Sequence, residues 1–278
     1  MTSSTPPSSQ KYLVETSALR PALGSPSHKH NQHFSDAVRD GELYTSVYIR
    51  MEFIRHWICY FIRAALIFKQ CDNVANALYH LEQAFGRGPK DALSMIQLHL
   101  SGCGSLSSAT SAEEIASLAM RFLKRFDNVF PKSIENSCRC QIGGNSPKED
   151  YDSILQDLYA FYEAFLAPVQ DCQINKFLRS RRRAESLTKN EALAGLSAVK
   201  NLTDLQRRSK WITCTECRRI GDAVIAFDQP ASHCLVHIDQ AFDKLCPALE
   251  RGHKPIASAV AADPIKLKPP PQKEPGEP

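Results

Sequence analysis

Four acidic residues set in apolar segments most constrain how this chain can fold. Each lies beside a run of residues that a folded protein buries, where an isolated carboxylate is costly. Several carboxylates that converge on one point instead form a cage of hard oxygen ligands, which suits Mg²⁺ or Mn²⁺. The four are Glu15 after Tyr12-Leu13-Val14, Glu52 before Phe53, Asp222 before Ala223-Val224-Ile225, and Asp239 after Leu235-Val236-His237-Ile238.

The chain is long enough to bury a sizeable core. Its 278 residues are 43% hydrophobic and 23% charged, which excludes a disordered protein and suits one large domain, with or without an insertion. The most apolar stretch, 53–68, contains Arg55, His56 and Arg63 and is too short and too charged to span a bilayer. The first ten residues lack the basic and apolar regions of a signal peptide. We therefore predict a cytoplasmic protein with no membrane partner.

Apart from redox chemistry, the ten cysteines allow two interpretations. A chain of this length does not need disulfides, so reduced thiols, buried or free, are one. The other is structural zinc, because Cys214-x-x-Cys217 has zinc-knuckle spacing. Cys234 with Cys246, or Cys138 with Cys140, would then complete four thiolates, although a second CxxC pair is absent.

Short apolar runs alternate with helical patterns near both ends of the chain. This alternation predicts an α/β fold with a mainly parallel central sheet covered by helices on both faces. Pro21, Gly24 and Pro26 predict a loop after the first strand. Strands are predicted at 11–15, 42–45 and 233–238, with an edge strand near 255–258, and helices at 33–39, 46–68 (capped by Ser46), 218–227 and 240–249.

The middle of the chain is helical in pattern throughout. We interpret residues 70–205 as an all-helical insertion, and residues 1–10 and 263–278 as a disordered leader and a disordered Pro-rich tail. The amphipathic helices are predicted at 73–85, 89–100, 112–126, 149–166, 172–185 and 190–201.

Parallel strands bind ligands beyond their carboxyl ends. Glu15 ends the first strand and Asp239 follows the last clear one, so both are predicted at the same edge. Asp222 opens a helix and Glu52 lies in the first turns of another, where the helix dipole favours negative charge. Each acid also has a simpler explanation, as a salt-bridge partner, a surface residue or a helix cap. Asp243, one helical turn past Asp239, is either an accessory ligand or an exposed side chain.

Basic residues are concentrated between positions 176 and 219. This stretch holds twelve Lys or Arg and four acidic residues, whereas the whole chain carries a formal charge of only +4. Such a stretch suits phosphate binding, and the competing interpretation is a solvated helical face.

In these residues the chain resembles the PIN-domain ribonucleases. The resemblance is carried by Leu-Val-Glu-Thr-Ser-Ala at 13–18, Arg-Met-Glu-Phe at 50–53, Gly-Asp-Ala-Val-Ile-Ala at 221–226, and Asp-x-x-Phe at 239–242. The spacings of 37 residues between Glu15 and Glu52, and of 17 between Asp222 and Asp239, suit that family. It implies a three-layer PIN-like domain, discontinuous over 11–69 and 206–262.

The resemblance also implies a function. Glu15, Asp222 and Asp239, with Glu52 directly or through water, would hold Mg²⁺ or Mn²⁺ for metal-assisted hydrolysis of RNA. Thr16 and Ser17 would add hydroxyls, and RNA, an antitoxin-like protein and a second copy of the chain are the implied partners. Contacts to the RNA backbone would come from Arg50, Arg179, Arg181, Arg182 and Arg183.

Two departures from the family pattern support an alternative function. The family's first acid is normally Asp, whereas this chain has Glu15, and the 170 residues between Glu52 and Asp222 exceed the usual gap. A catalytically weak RNA-binding or scaffold module with the same fold is therefore the second hypothesis. The insertion would then be a lid, a dimer surface or an RNA-binding platform.

Overall fold

Short apolar segments form a five-stranded sheet in the computed structural model, which describes residues 9–23, 29–39, 41–85, 111–134, 181–207 and 219–256. All of its neighbouring strands pair in parallel, and the third, second, first, fourth and fifth strands along the chain lie side by side in that order. The predicted α/β class and its mainly parallel sheet are therefore confirmed. The strands are β1 Gln10–Val14, β2 Gly41–Ser46, β3 Ser133–Ile134, β4 His233–His237 and β5 Gly252–Pro255.

The strand order changes direction at the centre of the sheet. From β1 the chain adds β2 and β3 on one side, and then adds β4 and β5 on the other. Leu13 pairs with Leu235 and Val14 with Val236, so β1 and β4 end side by side. The crevice outside the carboxyl ends of two such strands is where an open parallel sheet binds ligands.

Helices flank the sheet. A π-helical turn, Ile54–Ile58, joins α3 to α4, and a short 3-10 helix, Glu191–Leu193, precedes α8. No helix in the described ranges has the length and the apolar character needed to cross a membrane. The helices are α1 Thr16–Leu23, α2 Lys29–Ala37, α3 Val47–Phe53, α4 Cys59–Gln70, α5 Val74–Phe85, α6 Ala112–Val129, α7 Arg181–Thr188, α8 Ser197–Arg207, α9 Gly221–Asp228 and α10 Phe242–Ala248.

The predicted long helix after β2 begins as the sequence indicates. Ser46 caps it, because its hydroxyl oxygen accepts a hydrogen bond from the Ile49 N–H at 3.1 Å. The apolar positions of α3 and α4 then pack into the core, where Ile49, Phe61 and Ile62 are fully buried. Glu52 lies on α3 between Met51 and Phe53, which are both buried in this core.

Part of the segment predicted as an insertion belongs to the same core. Helix α6 opens with a capping box formed by Ser111 and Glu114. It packs on α3 and α4, with ring centroids 4.7 Å apart for Phe53 and Phe126 and 5.5 Å apart for Phe61 and Phe122. The strand that follows it, β3, was not predicted and pairs with β2. The helices predicted at 89–100 and 149–166, and most of that at 172–185, lie outside the described residues.

Two local predictions were wrong. Residues 16–23 form α1 rather than a loop, although Pro21 lies within it. A proline inside a helix costs about 3 kcal/mol, but burying Leu19 and Leu23 gives back about 1.5–3 kcal/mol each. The edge strand occupies Gly252–Pro255 rather than 255–258. The missing N–H of Pro255 does not interrupt the pairing, because the next residue, Ile256, donates its N–H to the His237 carbonyl at 2.8 Å.

Candidate functional site

Glu15 follows β1 directly and is buried. Its N–H donates to the Val236 carbonyl at 3.0 Å, which extends the pairing of β1 with β4 by one step. Its side chain is 4% exposed, and one carboxylate oxygen accepts hydrogen bonds from the Ser17 N–H, at 2.9 Å, and the Ser17 hydroxyl. Burial raises the pKa of Glu15 to about 8; the Ser17 hydrogen bonds oppose this, and the charges of Glu52 and Asp222 add to it.

Glu52 is held between α1 and α9. The Thr16 hydroxyl donates to its Oε2 at 2.6 Å. On the other side lies Gly221, where a Cβ would overlap Oε1 of Glu52 and lie 3.1 Å from the Tyr48 hydroxyl. The absence of a side chain at position 221 thus allows α9 to approach the carboxylate.

Asp222 lies in the first turn of α9, one residue beyond this contact. Burial raises its pKa to about 6, and the charge of Asp239 adds to the effect. Asp239 follows β4 and is exposed; its Oδ1 accepts a hydrogen bond from the Ala241 N–H at 2.8 Å. This local hydrogen bond turns the chain from β4 towards α10.

The structure brings the four predicted acids to one edge of the sheet. The negative charges of Glu52 and Asp222 contribute to the raised pKa of Glu15, and the charge of Asp239 contributes to the raised pKa of Asp222. The four acids are therefore linked by electrostatic repulsion. Their oxygens are hard donors, and mutual repulsion favours a divalent cation between them. No three of them, however, bring ligand atoms within 4.8 Å of one another in the described structure.

The group of metal-ligand side chains that does converge to this distance is His237, Asp243 and His253. Asp243 therefore lies with two histidines rather than with the four acids. The Nε2 of His237 is 3.1 Å from the Nδ1 of His253, and Oδ1 of Asp243 is 3.8 and 3.6 Å from these atoms respectively. Neither histidine was predicted from the sequence as a ligand.

Strand register is the signal that could have identified them. His237 pairs with Pro255, and His253 precedes Pro255 by two residues in the same strand. Because side chains alternate along a strand, His237 and His253 share one face of the sheet. With the edge strand placed at 255–258, His253 lay outside the predicted sheet, and this relationship was hidden.

Of the residues predicted to bind RNA, Arg50 is engaged within the protein. Its Nε lies 3.2 Å from Oδ1 of Asp127, and a second guanidinium nitrogen lies 3.4 Å from Oδ2. Its side chain is only 12% exposed, so the ion pair joins α3 to α6. Arg179 lies outside the described residues, and so do the side chains of Arg181, Arg182 and Arg183, whose backbone begins α7.

The described cysteines carry reduced thiols rather than disulfides. Cys59 and Cys246 are buried, and Cys71 and Cys234 are partly buried. Burial raises the pKa of Cys246 to about 12, so its thiol stays protonated. Cys214 and Cys217 lie outside the described residues, and zinc binding by this pair stays a prediction.

Comparisons with known proteins identify no family for this chain. No protein-family model matches it, and neither does a curated protein or a solved structure. Its function is therefore inferred from the fold, the four carboxylates and the side chains that hold them.

Proposed function

We propose that this chain is a PIN-like, metal-dependent ribonuclease that hydrolyses RNA phosphodiester bonds at Glu15, Glu52, Asp222 and Asp239. One observation carries the proposal: four acids from distant parts of the sequence lie together where β1 and β4 end. This is the position at which a parallel sheet places a ligand when its strand order changes direction. Four separate structural roles would not require them to meet.

The donor set fits Mg²⁺ or Mn²⁺, both of which prefer oxygen ligands. Glu15, Asp222 and Asp239 would hold the cation, with Glu52 bonding directly or through water. When bound, the cation would activate a water molecule and stabilise the charge that develops on the phosphate.

Two neighbouring hydroxyl groups donate hydrogen bonds to two of these carboxylates. Ser17 donates two hydrogen bonds to Glu15, which favours the ionised form against the effect of burial. Thr16 donates to Glu52 and orients it from the start of α1. Because pKa values of about 8 and 6 lie near neutrality, Glu15 and Asp222 can also hold or release a proton there.

The substrate proposal rests on charge. The basic stretch 176–219 leads directly into α9 and its Asp222, so RNA held by its phosphates would lie near the four acids. Phosphate contacts give affinity without base preference. An antitoxin-like protein and a second copy of the chain remain the proposed protein partners.

A catalytically weak RNA-binding or scaffold module is the second candidate, and one observation favours it. Glu15 is buried and hydrogen-bonded to Ser17, burial raises its pKa to about 8, and the four carboxylates do not converge to metal-ligand distances in the described structure. A Glu at this position carries one methylene more than the family's Asp, which would displace the carboxylate from the cation.

Cleavage of a mixed-sequence single-stranded RNA by the purified chain tests the proposal. We expect cleavage with Mn²⁺ or Mg²⁺, none with EDTA, and a loss of about 100-fold or more in Asp222→Asn. Asp72→Asn, the same change at an exposed position, is the matched control and should cleave like the wild type. Absent or metal-independent cleavage, with RNA binding retained, would favour the binding module.

Glu15→Asp separates an attenuated enzyme from a non-enzyme. Faster cleavage in this variant would mean that the longer side chain weakens an existing metal site. If neither form cleaves RNA, the fold serves binding alone.

A further inference from the structure

A second set of metal-ligand atoms lies beside the four acids and is not among the groups proposed to hold the catalytic cation. We propose that Nε2 of His237, Nδ1 of His253 and Oδ1 of Asp243 form a binding site for a divalent transition metal of the Zn²⁺ class. These residues come from β4, β5 and the first turn of α10, so the ion would join three elements. The site is independent of the ribonuclease proposal and would exist without it.

The spacing of the three atoms carries the proposal. Their separations are 3.1, 3.6 and 3.8 Å. A tetrahedral Zn²⁺ with bonds of about 2.0–2.1 Å keeps its ligand atoms about 3.3–3.4 Å apart. Shifts of a few tenths of an ångström would therefore turn this triangle into one face of a zinc tetrahedron.

The hydrogen bonding of His237 prepares it as a ligand. Its Nδ1 lies 2.9 Å from the carbonyl oxygen of Asp239, which can only accept, so Nδ1 carries the proton. In the neutral ring Nε2 then carries the lone pair, which accepts the hydrogen bond from Nδ1 of His253 at 3.1 Å and is the atom that a metal would bind. A backbone carbonyl that holds the distal ring nitrogen is the usual outer-shell partner of a metal-bound histidine.

Exposure makes the site accessible from one side. His237 is fully buried, whereas the side chains of His253 and Asp243 are 23% and 44% exposed. The metal would reach the site past Asp243 and would keep one solvent-facing coordination position for water. With Nδ1 of His253 bound to the metal, the proton of that ring would be on its Nε2. Two imidazoles and one carboxylate favour Zn²⁺, Co²⁺ or Ni²⁺ over Mg²⁺.

Metal binding here would act on the neighbouring site through Asp239. The same imidazole that ligates the ion donates to the Asp239 carbonyl, and the Asp239 side chain is one of the four acids. The proposed ion therefore clamps the turn between β4 and α10, and His237 acts as a positioning residue for that carboxylate.

Zinc titration of the metal-stripped full-length protein by calorimetry tests the site. We expect Zn²⁺ to bind to the wild type. In both His253→Gln and Asp243→Asn, its affinity at this site should fall by more than roughly 10–100-fold, which is the loss expected when only an outer-shell partner is removed. His33→Gln and Asp72→Asn repeat these changes at exposed positions and should bind like the wild type. Asp222→Asn should also retain this binding, which separates the site from the four acids.

Cobalt gives a second readout that needs no variant. Co²⁺ bound by nitrogen and oxygen in a tetrahedral site gains visible absorption, whereas thiolate ligands add a sulfur-to-metal charge-transfer band. The nitrogen–oxygen spectrum is expected. No Zn²⁺ binding by the wild type, unchanged binding in either ligand variant, or a thiolate spectrum from Cys214 and Cys217 would each overturn the proposal.

Discussion

Gly221 lies against the carboxylate of Glu52 so closely that a Cβ at position 221 would overlap Oε1. The contact joins the start of α9 to α3, and it brings Asp222 to the group that contains Glu15. A glycine is needed here for close approach, which explains why it directly precedes the acidic residue of the helix.

Gly221→Ala should therefore disturb the site and the fold together. The added methyl group must displace Glu52 or α9, and such overpacking costs about 1–3 kcal/mol in the free energy of unfolding. Urea unfolding measures this cost. Gly195→Ala is the control, because a Cβ at position 195 meets nothing within 4 Å and the change should be close to neutral. Equal stability of the two variants would contradict the close contact.

The ionisation of Glu15 should make the metal-free protein less stable as pH rises. The folded state keeps the Glu15 proton up to a pKa of about 8, whereas an exposed glutamate loses it near 4.5. Between these values the folded state binds the extra proton, so its stability falls with rising pH, by about 5 kcal/mol over the full range.

Comparison with Glu15→Gln isolates this contribution. His233 and His237, whose pKa values are lowered by burial, titrate in both proteins and cancel in the difference. The stability of the variant relative to the wild type should rise between pH 6 and pH 8, in chemical denaturation with EDTA present. Glu191→Gln, at an exposed position in the 3-10 helix, is the matched control and should show no such trend.

The central strands were predictable because their signals are local. Leu13-Val14 and Leu235-Val236 belong to short apolar runs that end at polar residues, as buried parallel strands do. Strand β3 has only two residues, and its pairing with β2 depends on where α6 ends. Helix α1 contains a proline, and only tertiary burial of Leu19 and Leu23 explains why it forms.

The candidate site was predictable in its members but not in its geometry. Strand ends and helix starts predict that Glu15 and Asp239 share an edge. The Ser17 and Thr16 hydrogen bonds, and the contact of Gly221 with Glu52, depend on distances between elements far apart in sequence. His253 was not predicted for a similar reason. The edge strand begins three residues before its predicted start, so the sequence did not show that His253 shares a face of the sheet with His237.

If the four acids hold a cation, the affinity for Mn²⁺ should increase with pH. Binding must displace protons from Glu15 and Asp222, whose pKa values are about 8 and 6. Each displaced proton makes the apparent affinity about tenfold stronger per pH unit below the pKa of its group, so binding displaces two protons below pH 6 and one, from Glu15, between pH 6 and pH 8. Calorimetry in buffers of different ionisation enthalpy measures both affinity and proton release. The dependence should weaken in Asp222→Asn and persist in His253→Gln; a pH-independent affinity would argue against these ligands.

Ser17→Ala should weaken the contact between the ends of β1 and β4 and raise the pKa of Glu15. The Ser17 hydroxyl donates to the Glu15 carboxylate and accepts a hydrogen bond from the Ile238 N–H at 3.0 Å. Its removal leaves both groups without this partner, which costs about 1–3 kcal/mol of stability. Because the Ser17 hydrogen bonds lower the pKa of Glu15 in the folded state, the decline in stability, which begins near pH 4.5 in both proteins, should extend to higher pH in the variant. Ser35→Ala, at an exposed position on α2, is the matched control. Unchanged stability and an unchanged pH profile in Ser17→Ala would show that Ser17 does not link the two strands.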